Sequence, residues 1–435
     1  MNNCLLQPNS TLNETLMLKT ARSIGDHLLK TAFWDQNHTF CNWIGRRDIE
    51  DKEIAPYAVR TAALSPELYS GSAGIALFLI ELYGLTGDTR YEKAAIGAWL
   101  RSVEYMKTNE FPATPISFYA GQLGLIYVGY KCLEYSIAYT DRITDGLKWL
   151  IPNLEAGLNV KHSLDVVGGN AGAIAPLLYI ARKYNVELCR KVALSCAQEI
   201  VDLGIWKDDI CYWQPQKVHG VELELPPLTG YSHGASGLAV GLLEAYRETE
   251  DSTFLKYARG AFAFEEALFC EEEGNWIDTR YPQYKRNGKI GGTCRAAWCH
   301  GAPGIALAHM RASSIDVNRH EYHESRAQIA IDTTKKKLAE KLESPAKDAT
   351  LCHGVLGLTD VMLTYGKYVN NPDLIDLAKA ETIKYIDLFP NPVTMPSGLS
   401  AGGYSPCLMV GLAGVGLHCL RIIDHSIASA LIIIP

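Results

Sequence analysis

Two short stretches of the sequence place cysteine, histidine and glycine in the same order. The first, AAWCHGAPG, covers residues 296–304, and the second, LCHGVLG, covers residues 351–357. Thiolate and imidazole together are typical of zinc sites, which are structural with four protein ligands and catalytic with three, because three leave a position open for substrate. The spacing alone does not decide how many of the four side chains bind a metal. The candidates are Cys299, His300, Cys352 and His353.

Both stretches are copies of a repeat in which a G-x-x-G turn precedes an apolar run. A single histidine or cysteine at such a turn is usually structural. Here the fourth copy carries Ser232-His233, and the fifth and sixth carry the two Cys-His pairs, so three successive copies place reactive side chains at equivalent positions. This recurrence favours a functional site over three unrelated structural residues. The second glycines of the seven copies are Gly74, Gly124, Gly172, Gly237, Gly304, Gly357 and Gly414.

Each turn is followed by the same pattern of hydrophobicity. After Gly74 the run IALFLIELY is apolar nearly all round, which predicts a helix buried on every side. In residues 91–107 the apolar side chains then recur every three to four positions, which predicts an amphipathic helix with one face exposed to solvent. Because no copy has the polar face that would cap an open array, we expect the repeats to close into a ring. The predicted fold is all-α: an α/α toroid of seven helical hairpins, with every turn at one rim.

The repeats also set the expected domain organisation. Residues 61–435 are predicted to form the seven-repeat toroid, and residues 1–60 an N-terminal helical extension that packs on it. Within this extension we expect a helix over about residues 14–32 and a loop at FCNWIGRRD (40–48). The longer segments between repeats, 204–230 and 271–294, are predicted to be excursions at the rim.

Composition excludes some partners. The formal net charge of −7 argues against nucleic acid or an anionic membrane as the main partner, since both select basic surfaces. The sequence shows no signal peptide and no apolar run of about 18 residues, so we expect no stable insertion in a membrane. Twelve scattered cysteines fit a reducing compartment, and we expect a cytoplasmic protein.

The two CHG stretches and the seven turns together resemble the lanthionine synthetase C-like proteins, over roughly residues 20–430. CNWIG (41–45) and PCLMVGLAGVG (406–416) are similar to the cyclase domain of class II lanthipeptide synthetases. The resemblance implies a zinc-dependent cyclase that adds peptide cysteine thiolates to dehydroalanine or dehydrobutyrine, forming thioether rings. A dehydratase domain precedes the cyclase in those synthetases, and this chain has no room for one. We therefore expect a stand-alone cyclase or a separated domain, supplied with dehydrated precursor peptide by a separate dehydratase.

The same resemblance implies the metal ligands. One Zn²⁺ would be bound by Cys299, Cys352 and His353, with the fourth position open to a cysteine of the precursor peptide. A bound metal lowers the pKa of a thiol, so the attacking thiolate would exist at neutral pH. His300 then occupies a position that need not be a ligand.

Three further residues match family positions near the metal. His233 is the candidate that protonates the enolate formed by thiol addition, and its alternative is a structural histidine at a helix start. Asp165 would orient an imidazole or accept a proton. Arg295 would stabilise the enolate oxygen, and its alternative is a salt bridge that holds the loop. Trp298 is predicted to pack beside the site.

Two other classes of function stay open. A glycosidase on a toroid needs two carboxylates at a set separation, and the rim offers Asp165 without a clear acidic partner. A prenyltransferase also activates a thiol with zinc, but two CHG copies do not suit its mixed Asp-Cys-His ligands. The non-catalytic alternative is a zinc-bearing scaffold of the same fold that binds a peptide or glutathione.

Overall fold

The structure, a computed structural model, describes residues 12–51, 55–109, 116–158, 163–215, 226–280, 285–286, 289–290, 293–344, 347–399 and 402–434. Within these ranges the chain forms fourteen α-helices. They are α1 (Leu12–Thr31), α2 (Ser72–Thr86), α3 (Thr89–Thr108), α4 (Gln122–Tyr135), α5 (Thr140–Gly157), α6 (Asn170–Tyr184), α7 (Glu187–Asp202), α8 (Ala235–Thr249), α9 (Ser252–Glu266), α10 (Ala302–Ile315), α11 (His320–Glu343), α12 (Val355–Tyr368), α13 (Pro372–Asp387) and α14 (Leu412–Ile423).

The even-numbered helices form a closed inner ring. Each packs against the next even-numbered helix along the chain, and α14 packs against α2, which closes the circle. In α2 every residue from Ser72 to Leu82 is buried, as expected for a helix covered on all sides. The outer helices pack behind, and α3 is typical of them. It starts at Asp88, whose carboxylate accepts the N–H of Arg90, and it buries one stripe that includes Trp99. The predicted α/α toroid is confirmed.

The seventh pair of helices differs from the other six. No helix follows α14 within the described residues 424–434, and α14 instead packs against α1. The helix predicted over about residues 14–32 is present as α1, and it supplies the seventh outer helix. The two ends of the repeat array are thus joined side by side. The division into domains 1–60 and 61–435 stays a prediction.

Short antiparallel strand pairs decorate the helices. The predicted loop at residues 40–48 was wrong, because this stretch contributes to two of these pairs. The connection between the first two strands is closed by the Asp35 carboxylate, which accepts hydrogen bonds from the N–H groups of Thr39 and Phe40, both at 2.7 Å. The pairs are β1 (Phe33–Trp34) with β2 (Cys41–Asn42), β3 (Ile44–Asp51) with β4 (Ala55–Ala63), β5 (Ile205–Lys207) with β6 (Ile210–Tyr212), β7 (Phe269–Cys270) with β8 (Asn275–Trp276), and β9 (Lys285–Arg286) with β10 (Lys289–Ile290).

The backbone of every turn leaves no room for a side chain at its second glycine. A Cβ atom at Gly74 would lie 2.2 Å from the carbonyl oxygen of Leu68, six residues earlier in the chain. The same contact recurs in all seven copies, at 1.8 Å for Gly172 and 2.3 Å for Gly124. These distances are far below van der Waals contact, so the turn has room for glycine alone. This explains why the G-x-x-G pattern marks the start of each inner helix.

Hydrogen bonds link the seven turns into a circle. The carbonyls that accept these bonds belong to the residues five positions before the second glycines: Tyr69, Tyr119, Val167, Ser232, Cys299, Cys352 and Met409. Backbone N–H to carbonyl bonds run from Tyr69 to Tyr119 (2.9 Å), Val167 to Ser232 (3.3 Å), Ser232 to Cys299 (3.2 Å), Trp298 to Cys352 (3.1 Å), Cys352 to Met409 (3.0 Å) and Met409 to Tyr69 (3.0 Å). The hydroxyl of Ser117 joins the second turn to the carbonyl of Val167 at 2.7 Å. All seven turns therefore lie at one rim.

None of the helices in the described ranges is both long enough and apolar enough to cross a membrane.

We predict that Gly124→Ala destabilises the fold by about 3 kcal/mol, because the added methyl must displace the carbonyl of Phe118. Gly87→Ala is the matched control. Gly87 has φ of 69° and no atom within 4 Å of an added Cβ, so its cost is conformational and about 1 kcal/mol. Urea unfolding of both variants measures the difference. Equal losses would show that the turn carbonyl does not constrain the glycine.

Candidate functional site

The two CHG turns bring their thiols together at the rim. The side chains of Cys299 and Cys352 are hydrogen-bonded to each other, and the hydroxyl of Tyr69 donates to Sγ of Cys352 at 3.0 Å. The hydrogen bond from Cys352, helped by the nearby charges of His353 and His233, lowers the pKa of Cys299. Burial raises the pKa of Tyr69, so its phenol stays protonated and donates.

His353 is held by a carboxylate that the sequence analysis missed. Its Nδ1 lies 2.5 Å from Oδ2 of Asp348, whose other oxygen accepts the N–H and the hydroxyl of Thr350. Burial would lower the pKa of His353, but the Asp348 carboxylate outweighs it and raises this pKa. With Nδ1 engaged, Nε2 is the nitrogen left for a ligand. The available signal was an aspartate five residues before the histidine in DATLCH.

The residues suit the predicted metal in type. Two thiols and an imidazole nitrogen form a donor set that zinc prefers, and zinc-binding histidines commonly donate their other N–H to a carboxylate. As the side chains stand, no group of three or more His, Cys, Asp or Glu in the described part of the chain is arranged to hold a metal ion. The zinc site at Cys299, Cys352 and His353 therefore stays a prediction, supported by the chemistry of the donors and by Asp348.

His233 and Asp165 lie together although they belong to different turns. Nδ1 of His233 is 2.7 Å from Oδ2 of Asp165, and the N–H of Gly168 fixes the other carboxylate oxygen at 2.6 Å. Burial would lower the pKa of His233, but the charge and hydrogen bond of Asp165 raise it above the usual value. The pair can therefore hold a proton on the imidazole near neutral pH. It is the arrangement expected of a general acid.

The two CHG histidines have different surroundings. His300 is buried, and its ring stacks on that of His233 with centroids 5.7 Å apart. Neither of its ring nitrogens has a hydrogen-bond partner among the described residues. Burial and the charge of Arg280 lower the pKa of His300 far below its usual value, so this ring is neutral. His300 thus lies beside the His233–Asp165 pair, whereas His353 is paired with Asp348.

Two arginines share one buried carboxylate next to these histidines. Nε of Arg295 lies 3.6 Å from Oδ2 of Asp278, and Arg280 approaches the same carboxylate at 2.7 Å and 3.0 Å. The salt bridge considered for Arg295 is present, and its side chain is 53 % exposed. Its role at an enolate oxygen stays a prediction. Arg280 was missed because it stands in the long segment between repeats, where no pattern marks it.

The position of Trp298 agrees with its predicted packing role. Its side chain is fully buried, and its indole lies against the rings of Tyr119 and Tyr231.

The sequence model of the family described as "Lanthionine synthetase C-like protein" matches residues 62–433, most of the chain. Within the curated relatives, the chain is 25 % identical over 370 residues to the lacticin 481/lactococcin biosynthesis protein LcnDR2 of Lactococcus lactis subsp. lactis. That alignment covers 82 % of this chain and 36 % of the relative, so the chain spans about a third of that protein's length.

A solved structure has the same fold. The structure named "Nisin cyclase" superposes with a TM-score of 0.64 at 18 % identity, covering 83 % of this chain and 89 % of that one. At this identity the likeness concerns the fold. It agrees with the toroid described above, and the family match confirms the resemblance seen in the sequence.

We predict that Asp165→Asn lowers the pKa of His233 below its usual value of about 6.5, because burial remains while the carboxylate charge is lost. An NMR titration of the histidine ring protons, with the His233 signal assigned by its absence in His233→Asn, measures the change. The titration of His353, which has its own carboxylate, should not move. An unchanged pKa at His233 would contradict the assigned pairing.

Proposed function

The chain belongs to the lanthionine synthetase C-like family, and on this premise we propose that it is a zinc-dependent lanthipeptide cyclase. It would add cysteine thiolates of a dehydrated precursor peptide to dehydroalanine or dehydrobutyrine, an intramolecular Michael-type addition that forms lanthionine and methyllanthionine rings. One observation carries the proposal: two thiols, the His353–Asp348 pair and the His233–Asp165 pair all lie at the same rim.

The residues proposed to hold the zinc ion are Cys299, Cys352 and Nε2 of His353. When bound there, zinc would lower the pKa of a peptide cysteine thiol at its open position, so that the thiolate exists at neutral pH. Asp348 would fix the tautomer of His353 by accepting a hydrogen bond from its Nδ1–H, so that Nε2 of the neutral ring is the nitrogen that binds the metal. Tyr69 fixes the side chain of Cys352 by donating to its sulfur.

The proton that completes the reaction is assigned to His233. Addition of a thiolate to Cβ of a dehydroamino acid leaves negative charge on an enolate, which must gain a proton at Cα. The Asp165 carboxylate holds Nδ1 of His233 and raises its pKa, so Nε2–H is the group that can donate. The proton that the peptide thiol gave up restores the protonated ring, which the Asp165 carboxylate stabilises.

The enolate oxygen requires positive charge or hydrogen-bond donors nearby. Arg295 and Arg280 supply two guanidinium groups anchored on Asp278. Arg295 is half exposed, so we assign it the contact with substrate. We assign Arg280 the electrostatic support, because its charge already acts on Cys299 and His233.

The remaining expectations join the proposal. We propose a dehydrated precursor peptide as substrate and a separate dehydratase as its source. The net charge of −7 supports a partner other than nucleic acid, and the protein is proposed to act in the cytoplasm.

Activity is tested with a dehydrated precursor peptide and the zinc-loaded protein. The cyclised peptide is an isomer of its substrate and has the same mass. Products are therefore treated with a thiol-alkylating reagent, and mass spectrometry counts the adducts. We expect peptides that gain no adduct. If the protein binds the peptide but leaves every thiol alkylatable, the non-catalytic scaffold is the correct function.

We predict that Cys352→Ala loses the zinc ion, because two remaining protein ligands bind zinc weakly. Wild type should hold about one zinc per chain after dialysis. Cys419→Ala is the control, since Cys419 is fully buried in α14 and apart from the rim turns. Elemental analysis of the three proteins decides. Equal zinc contents in wild type and Cys352→Ala would rule out this ligand set.

For His233→Asn we predict a fall of about 10²–10⁴-fold in the rate constant of ring formation with unchanged zinc content, because the proton donor is lost while the ligands remain. His320→Asn, at a half-exposed histidine that contacts Glu324 in α11, is the control and should keep full activity. Ring formation under single-turnover conditions is the measurement. A variant that cyclises at the wild-type rate would remove His233 from the mechanism.

A further inference from the structure

The chain beyond α14 and its C-cap residue Asp424 enters the ring. Residues 425–434, here called the inner segment, form neither helix nor strand, yet Leu431 is 0 % exposed and Ile432 is 4 % exposed. A buried irregular segment has backbone groups that no helix or sheet satisfies, and leaving them unpaired is costly. Partners must therefore come from the surrounding helices and turns.

The first part of the inner segment is anchored on a buried ion pair. Asp360 of α12 and Arg421 of α14 contact each other, and both are buried. The hydroxyl of Ser429 donates to Oδ2 of Asp360 at 2.6 Å, and Nε of Arg421 donates to the carbonyl of Ile427 at 3.2 Å. Buried charges persist only when hydrogen bonds complete their coordination, and the segment supplies two. This fixes the segment between the sixth and seventh inner helices.

The next two carbonyls of the segment reach the rim turns. The hydroxyl of Tyr119 donates to the carbonyl of Ala430 at 2.7 Å, and Nε1 of Trp298 donates to the carbonyl of Leu431 at 2.9 Å. Both bonds are buried. Tyr119 belongs to the second turn and Trp298 to the fifth, which lie on opposite sides of the ring. The segment thus connects the two sides from the inside.

A row of packed aromatic rings lies between the inner segment and the thiols. The ring centroid of Trp298 is 5.4 Å from that of Tyr119, which in turn lies 6.4 Å from Tyr69. Tyr69 donates its hydroxyl to Sγ of Cys352. Trp298 directly precedes Cys299, and its N–H donates to the carbonyl of Cys352. The contacts at the carbonyls of Ala430 and Leu431 therefore each lead to one of the two cysteines.

We infer that the inner segment positions the cysteines of the site, with Trp298 and Tyr119 as positioning residues that hold the rim turns to the carbonyls of Leu431 and Ala430. The inference rests on the proposed function for the metal, and it assigns to this segment a part in building the site. Without these bonds the fifth and second turns lose their link through the centre of the ring, and the two sulfurs lose their set separation.

The test is Trp298→Phe, which keeps an aromatic ring but removes the indole N–H. Trp99→Phe is the matched control, because Nε1 of Trp99 donates to the carbonyl of Leu125 at 2.7 Å in an equally buried place between α3 and α4. Both variants should lose similar thermal stability. We expect the zinc dissociation constant, measured by competition with a chromogenic chelator, to rise about tenfold in Trp298→Phe and to stay at the wild-type value in Trp99→Phe.

A second readout does not depend on zinc. In metal-free protein, the share of Cys299 alkylated by iodoacetamide in a fixed time, measured by peptide mass spectrometry, should rise severalfold in Trp298→Phe and not in Trp99→Phe. Tyr119→Phe should act in the same direction. Its control is Tyr91→Phe, which removes a buried phenol of α3 that donates to Oδ1 of Asp26 at 2.9 Å.

These readouts separate the inference from the proposed function. If wild type binds no zinc, the proposed metal site fails, and alkylation of Cys299 still decides the role of the inner segment. If wild type binds zinc and both Trp298→Phe and Tyr119→Phe match their controls in zinc affinity and in alkylation, the inference is overturned. A loss of stability alone, equal to that of the controls, also overturns it.

Discussion

This structure depends on the close approach of a backbone carbonyl to the second glycine of each turn, where any other residue would place its Cβ atom. In each of the seven turns the second glycine leaves room for the carbonyl oxygen six residues earlier, which sets the start of an inner helix. The residue next to that carbonyl then bonds to the neighbouring turn, and the seven links close a circle. One rim therefore holds seven equivalent positions, whatever side chains occupy them.

Function then depends on which side chains stand at these positions. Most are tyrosine, valine, serine or methionine, and two adjacent turns have Cys299 and Cys352. Because the circle makes adjacent turns neighbours, the two sulfurs meet although they are far apart in the chain. The carboxylates come from outside the repeat pattern. Asp348 and Asp165 each stand in a turn and each fix one histidine, so the seven-fold scaffold gains a site with two distinct histidine–aspartate pairs.

The sequence predicts the parts of this arrangement that local rules control. The G-x-x-G spacing and the switch from fully apolar to amphipathic runs follow from the turn and from burial, so the helices and the ring could be predicted. The role of α1 as the seventh outer helix could not, because an amphipathic pattern does not say which helix it covers. Arg280 and Tyr69 were missed because their importance comes from charges and contacts that reach other turns. Asp348 stands in the same turn as His353, and it was missed because an aspartate five residues before a histidine is not a distinctive pattern. The roles of His300 and His353 depend on family resemblance, since their spacing in the chain is the same.

The central claim is that two rim thiols and His353 hold a zinc ion whose open position accepts a peptide cysteine. X-ray absorption at the zinc edge, with and without dehydrated precursor peptide, measures it most directly. The account predicts two sulfur neighbours at about 2.3 Å in the protein alone and three when the peptide is bound. A sulfur count that stays the same when the peptide binds, or a zinc ion with only nitrogen and oxygen neighbours, would contradict it.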